Sequence, residues 1–301
     1  MIPLPTVRQL QFFHALARRK SFSKAAEDCL VSQSTLSSAI KELEGVLRCQ
    51  LVDRSTKAFA LTPSGEAVVA RAERILALTE DLARSAAARQ PLEGQFHLGV
   101  IPTVAPFLLP AAAPKLRAAF PRLELYLRED LTANLVDRLS AGLLDAAVLA
   151  FPYDVRGAEV IDLGEDCFYF AARPDHPHAA KKAMSLDDLS GETLLLLEDG
   201  HCLRDHAIDA CKLARGATAA GFAATSLFTL TQMALSGLGA TLLPEMAVNA
   251  GLAKTSGLKA VPFADPAPSR RIGLAWRRSS GRREEAEALA GVLRGAMKRT
   301  G

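Results

Sequence analysis

A chain of 301 residues, 49% hydrophobic and 23% charged, is too long for one average domain and comfortable for two, and its composition excludes a disordered or fibrous protein. No apolar run reaches the length of a membrane span, and Met1–Phe13 mixes Pro, Arg and Gln with apolar residues, unlike a secretory signal; the expectation is a cytoplasmic protein with no membrane partner. The 36 Lys/Arg and 33 Asp/Glu leave a net charge of only +3, yet residues 1–62 hold nine and five of them, leaving a nearly neutral 27 and 28 for the rest: a basic head suited to a polyanion.

Val7, Leu10, Phe13 and Ala17 recur at helical spacing and predict a first helix. Ser23–Cys29 reads as a short second helix, broken at Leu30–Ser32, and Ser32 is a good N-cap for a third. That helix carries Leu36, Ile40, Leu43 and Leu47 on one face and Ser34, Ser37, Ser38 and Lys41 on another. Leu51–Thr62 follows as two short β-like runs around Arg54-Ser55-Thr56-Lys57. Thr62-Pro63-Ser64-Gly65 then starts a long helix with a heptad-like seam at Val68, Ala72, Ile75, Thr79, Leu82 and Ala86, ended by a linker at Pro91.

From Gly94 onward strands and helices alternate. Strands are expected at Phe96–Val100, Leu123–Leu127, Ala146–Ala150, Cys167–Ala172, Leu194–Leu197, Ala240–Leu243 and Ile272–Trp276. Helices are expected at Pro106–Phe120, Leu131–Ala141 and Leu203–Ala214, with a closing helix at the end. Such alternation implies open, mostly parallel sheets covered by helices, with ligands near the carboxyl ends of strands.

The N-terminal segment has the layout of a helix-turn-helix. Leu36, Ile40 and Leu43 hold the third helix on the others, while the opposite face must enter a major groove about 12 Å wide. Ser34, Thr35, Ser37 and Ser38 are slim enough; Gln33 can pair with an adenine edge and Lys41 can meet a phosphate or guanine. Arg54, Ser55, Thr56 and Lys57 would touch the adjacent DNA backbone as a wing. Ala25-Ala26, Leu30-Val31-Ser32-Gln33-Ser34-Thr35-Leu36-Ser37, Ile40, Leu43-Glu44, Leu51-Val52, Arg54 and Leu61-Thr62-Pro63-Ser64-Gly65 together resemble the N-terminal domain of LysR-type transcription regulators. One departure is Leu47-Arg48, where that family often has Leu-Gly, which puts the turn before the wing in question.

The resemblance implies an all-α winged helix-turn-helix at residues 1–62, a linker and dimerisation helix at 63–91, and a C-terminal α/β sensor like periplasmic binding proteins at 92–301. Lobe I of the sensor would take about 92–163 and 267–301, and lobe II about 164–266. It also implies homodimers pairing into homotetramers, promoter DNA and RNA polymerase as partners, a nucleoid-associated location, and no enzymatic activity.

The five cysteines, 29, 49, 167, 202 and 211, are odd in number and form no CxxC pair, against a secreted disulfide scaffold or a zinc ribbon. Cys29, Cys49 and Cys167 read as small buried hydrophobes. Cys202 differs: in Leu197-Glu198-Asp199-Gly200-His201-Cys202-Leu203-Arg204-Asp205-His206 it sits at a helix start between two His and beside an Arg. Helix N–H groups and a nearby cation both favour thiolate, the form that attacks peroxide. Asp205 opposes this charge but can hold Arg204. Cys211 shares an apolar helix face with Leu203, Ala207 and Ala214 and should be buried. Nine residues of helix separate the two Cα atoms by about 13 Å, against about 7 Å at most for a disulfide, so a bond between them requires the helix to unwind.

Gly200-His201-Cys202-Leu203-Arg204-Asp205 with Cys211 resembles the redox segment of the OxyR subgroup of that family, which senses peroxide. So do Ile101-Pro102-Thr103-Val104, Leu108-Leu109-Pro110, Thr225-Ser226-Leu227 and Thr241-Leu242-Leu243-Pro244. The resemblance implies that hydrogen peroxide oxidises Cys202 to sulfenic acid, that Cys211 resolves it as a disulfide, and that the change alters subunit docking and DNA contacts. It implies peroxide binding by the hydroxyls of Thr103 and Thr132 in a pocket shaped by His201, Arg204 and Asp205. A glutaredoxin- or thioredoxin-type reductant would reset the switch, with no cofactor or metal. Three alternatives stand beside it: a regulator of the same fold with an organic effector between its lobes, a thiol peroxidase acting through Cys202, and a zinc site at His201, Cys202, His206 and Cys211 that would pull Cys211 off its apolar face.

Overall fold

A computed structural model of the chain describes residues 3–53, 59–85, 91–211 and 224–300. Contacts divide it into two units, residues 1–87 with 141–143 and the remainder.

In the first unit, α1 (Val7–Arg19) opens on a capping box in which Thr6 accepts from the Gln9 amide and Gln9 accepts from the Thr6 amide. Ser21 caps α2 (Phe22–Asp28) and Ser32 caps α3 (Gln33–Leu47). Phe13, Leu16, Ala25, Leu36, Ile40 and Leu43 are fully buried between these helices, as the apolar spacing requires. α3 ends on Arg48 in the left-handed conformation, φ 54°. The turn that glycine usually makes therefore persists with a Cβ present, at a cost of about 1 kcal/mol. Two short antiparallel strands follow, β1 (Val52–Asp53) and β2 (Ala60–Leu61); the wing residues Arg54, Ser55, Thr56 and Lys57 between them lie outside the described residues. Thr62 donates its hydroxyl to the Gln50 carbonyl and accepts from the Gly65 amide. A Cβ at Gly65 would sit 2.2 Å from the Leu51 carbonyl oxygen, which explains glycine in Thr62-Pro63-Ser64-Gly65.

α4 (Pro63–Ser85) divides the expected seam between two surroundings. Val68 and Ala72 pack into the core of the first unit, together with Leu76, whereas Ile75 and Leu82 are exposed; Ala86 lies outside the described residues. Seven-residue spacing places side chains on one stripe but does not tell a local core from a partner helix.

The second unit runs β3 (Gly94–Val100), α5 (Ala105–Ala119), β4 (Leu123–Glu129), α6 (Thr132–Ser140), β5 (Ala146–Phe151), β6 (Ala158–Ala172), β7 (Leu194–Leu195), α7 (Cys202–Ala210), α8 (Leu227–Leu235), β8 (Ala240–Pro244), α9 (Glu245–Asn249), α10 (Leu252–Thr255), β9 (Lys259–Pro262), β10 (Ser269–Arg277) and α11 (Arg283–Thr300). Strand order is β4-β3-β5-β10-β6-β8-β7, with β9 also on β6. β3 is parallel to β4 and β5, and β7 to β8. β10 is antiparallel to β5 and β6, and β6 to β8 and β9. The expectation of mostly parallel sheets is thus corrected: parallel pairs serve each lobe locally, but the strands that carry the chain between lobes run antiparallel.

β6 belongs to both lobes. Residues 158–167 pair with β10, and 168–172 pair with β8 and β9. Around these halves lie two separate cores. Phe96, Leu98, Val148, Leu274 and Leu293 centre the first, and Phe168, Phe170, Leu195, Leu230 and Leu243 the second. The chain is an N-terminal helix-turn-helix with a linker helix, followed by a two-lobed α/β domain of the periplasmic-binding-protein kind. Among the described residues no helix is long and apolar enough to cross a membrane.

Candidate functional site

α3 presents the face expected to read DNA. Ser32, Gln33, Ser34, Thr35, Ser38 and Lys41 are exposed and Ser37 half-buried, while Leu36, Ile40 and Leu43 anchor the opposite side. Ser32 is occupied locally: its hydroxyl accepts from the Thr35 amide at 3.1 Å and lies 2.9 Å and 2.8 Å from the hydroxyls of Ser34 and Thr35. Ser23 donates to Gln33 Oε1 at 3.0 Å, orienting that amide from α2.

The second candidate lies at the carboxyl ends of β3 and β4. The turn after β3 carries Thr103, α6 starts at Thr132, and α7 starts at Cys202. The three line one recess with His201, Gly200 and Leu131. Thr132 Oγ1 is buried and has no hydrogen-bond partner among the described residues. Thr103 Oγ1 accepts from Arg270 Nη1 at 2.8 Å, and the Thr103 carbonyl accepts from Nη2 at 3.2 Å. Arg270 in turn donates through Nε and Nη2 to Asp166 Oδ2 at 3.0 and 2.8 Å, and Asp166 Oδ1 accepts from the Met246 amide. Both partners are buried, so the pair is retained only because each charge is neutralised and hydrogen-bonded.

Arg270 and Asp166 escaped sequence reading. The one available signal was β alternation: Arg271 is paired with Asp162 at the surface, and its neighbour Arg270 must then face inward.

His201 is buried and precedes α7 as its N-cap residue; burial, opposed by Glu198, holds its pKa below the ordinary histidine value. Arg204 and Asp205 are not among the lining residues of the recess. Arg204 donates to the Leu197 carbonyl and pairs with Asp199 at 2.9 Å, so the anchor expected at Asp205 is Asp199 instead. Asp205 is exposed.

The two cysteines of α7 face different cores. Cys202 packs in the cluster of lobe I, while Leu203, Ala207 and Cys211 pack in that of lobe II. Cys211 is buried, which pushes its thiol up to about 12. Cys29, Cys49 and Cys167 are half-buried rather than buried. Burial raises the Cys29 thiol; burial, with Glu245 and the acidic residues near it, pushes Cys167 up to about 11. The expected helix to Ala214 ends at Ala210, with Cys211 as its cap; residues 212–223 lie outside the described residues. No group of three or more His, Cys, Asp or Glu among the described residues converges to hold a metal ion.

Residues 7–66 match the family of bacterial regulatory helix-turn-helix proteins of the lysR type, and residues 89–298 match the LysR substrate binding domain. The chain is 41% identical to the transcriptional regulator EstR of Acinetobacter baylyi over 98% of both chains. It is 39% identical to the dual regulator OxyR of Escherichia coli, covering 97% of this chain and 95% of that one. A cysteine variant of OxyR from Corynebacterium glutamicum with hydrogen peroxide bound superposes with a TM-score of 0.69 at 36% identity, covering 100% of this chain and 95% of that chain.

Proposed function

The chain belongs to the LysR family of bacterial DNA-binding transcription regulators, and from that premise we propose that its signal is hydrogen peroxide, read by Cys202. The observation that carries this reading is the recess at Cys202, where the buried Thr132 hydroxyl is left without a partner. An unpaired buried hydroxyl costs about 1–3 kcal/mol, and a small polar ligand beside the thiol would supply the missing bond. A relative named as a hydrogen peroxide-inducible genes activator and a solved structure with hydrogen peroxide bound support it.

In the proposed sequence, the Cys202 thiolate attacks one peroxide oxygen. The O–O bond breaks, the leaving hydroxide takes a proton to become water, and Cys202 becomes sulfenic acid. Thr103, held by Arg270, and Thr132 orient the peroxide, with His201 closing the recess; Arg204, tied to Asp199, and Asp205 shape its surroundings. The Cys211 sulfur then attacks the Cys202 sulfur. The S–O bond breaks, a second water leaves, and a disulfide remains. Peroxide is reduced to two waters while the two thiols are oxidised, and a glutaredoxin- or thioredoxin-type dithiol reverses the change. The chain acts as a sensor rather than an enzyme: oxidation of lobe contacts alters how subunits dock in dimers and tetramers, and with it the hold on promoter DNA by α3 and the wing at Arg54, Thr56 and Lys57 and the response of RNA polymerase.

Intact-mass analysis with thiol trapping tests this directly. Micromolar peroxide should remove two trappable thiols from the wild type and none from Cys202→Ser, which should still bind DNA. A Cys202→Ser chain whose DNA footprint still changes with peroxide would refute Cys202 as the sensor.

A further inference from the structure

α7 carries a second buried imidazole that the peroxide chemistry does not use. His206 lies about one turn along the helix from Cys202, and its Nε2 is 3.1 Å from the carbonyl oxygen of Pro152, just after β5 in lobe I. A carbonyl only accepts, so Nε2 carries the proton in this bond. The other ring nitrogen, Nδ1, is buried without a partner among the described residues. The bond ties the helix to the opposite lobe, because Leu203, Ala207 and Cys211 pack in the core of lobe II.

We propose that His206 is a positioning residue that latches α7 onto lobe I through Pro152, so that release of this bond gates the unwinding that disulfide closure needs. What the gate controls rests on the peroxide reading above; the latch itself exists in the reduced protein and is testable without oxidant.

The geometry makes the latch sensitive to acid. A second ring proton would bury an N–H donor with no acceptor and add a cation near Arg270 of β10. The bond to Pro152, and Asp205 and Asp209 on α7 itself, favour that proton, but burial is the largest influence and with Arg270 holds His206 below the ordinary histidine value. On a released helix the ring returns to about 6.5. The released form therefore binds the proton more readily. Docking is at full strength above that value and weakens as pH falls through it.

Hydrogen exchange of α7 amides in the reduced full-length chain, compared among wild type, His206→Gln and His206→Leu, tests the latch. Gln keeps an amide donor that does not titrate; Leu fills the space without a donor. Wild type and Gln should exchange alike at about pH 7.5, and wild type should become about threefold faster than Gln at about pH 5.5, a ratio from which intrinsic exchange cancels. Leu should be about threefold faster than Gln at both values. After peroxide, disulfide closure timed by quenched thiol trapping should follow the same order. Equal exchange in all three proteins, or a wild-type to Gln ratio independent of pH, overturns the latch. Equal closure rates in all three overturn the gate. If the exchange order holds and no Cys202–Cys211 disulfide forms in any of them, the latch stands and the peroxide reading falls.

Discussion

Thr132 ends in a hydroxyl that gains nothing for the fold, being buried and unpaired. Thr132→Val removes that group at nearly constant volume, so thermal unfolding should show a gain of about 1 kcal/mol, while stopped-flow peroxide consumption by Cys202 should slow about tenfold, as for a lost transition-state contact. A variant that oxidises at the wild-type rate removes Thr132 from the peroxide site. Cys211 permits a second test. Its folded thiol is raised from 9.0 to about 12 by burial, so its contribution to stability is complete below pH 9 and is lost as pH rises toward 12. At about pH 8 the folded chain holds almost no Cys211 thiolate, and alkylation there should be about a thousandfold slower than in guanidinium; peptide mapping after iodoacetamide reads the ratio, and similar rates would show an open site. Thr103, Thr132, His201 and Cys202 were legible in the sequence through motif resemblance. Arg270 and Asp166 were not, because the bond from Arg270 to Thr103 joins residues 167 positions apart and no local pattern encodes such a distance.

Helices and strands whose reasons are local were readable from local sequence. Ser32 caps α3 and Leu36, Ile40 and Leu43 bury one face of it, which leaves Lys41 exposed on the reading side. If Lys41 meets a DNA phosphate, Lys41→Ala should reduce the slope of log K against log salt by about 1 and weaken all sequences alike; fluorescence anisotropy from about 50 to 200 mM salt reads it, and an unchanged slope takes Lys41 out of the contact. One element-scale reading failed. The mostly parallel sheets were inferred from local pattern, and local pattern does not specify the partner: β10 paired antiparallel with β5 and β6.

In the whole sensor, α7 joins two cores, with Cys202 in one and Cys211 in the other. The two Cα atoms are about 13 Å apart along the intact helix, so the proposed disulfide would have to withdraw Cys202 from lobe I or Cys211 from lobe II. Leu203 and Ala207 share the helix, and burial of a leucine alone stabilises by about 2 kcal/mol, so the oxidised state needs new packing and a second stable arrangement. Hydrogen exchange on reduced and oxidised protein should show lost protection across Leu203–Ala210; unchanged protection with the disulfide formed would sink the unwinding mechanism while leaving Cys202 as the sensor. Sequence by itself determined the helix-turn-helix, the alternating α/β pattern and the placing of Cys202 at a helix start, because caps, apolar stripes and motif spacing act over a few residues. Tertiary structure alone decided that β6 serves both lobes, that a buried Arg270–Asp166 pair sets Thr103, and that His206 bonds across to Pro152. Each of these brings together residues remote in the chain, where burial makes every unpaired charge or donor costly and so selects the partner.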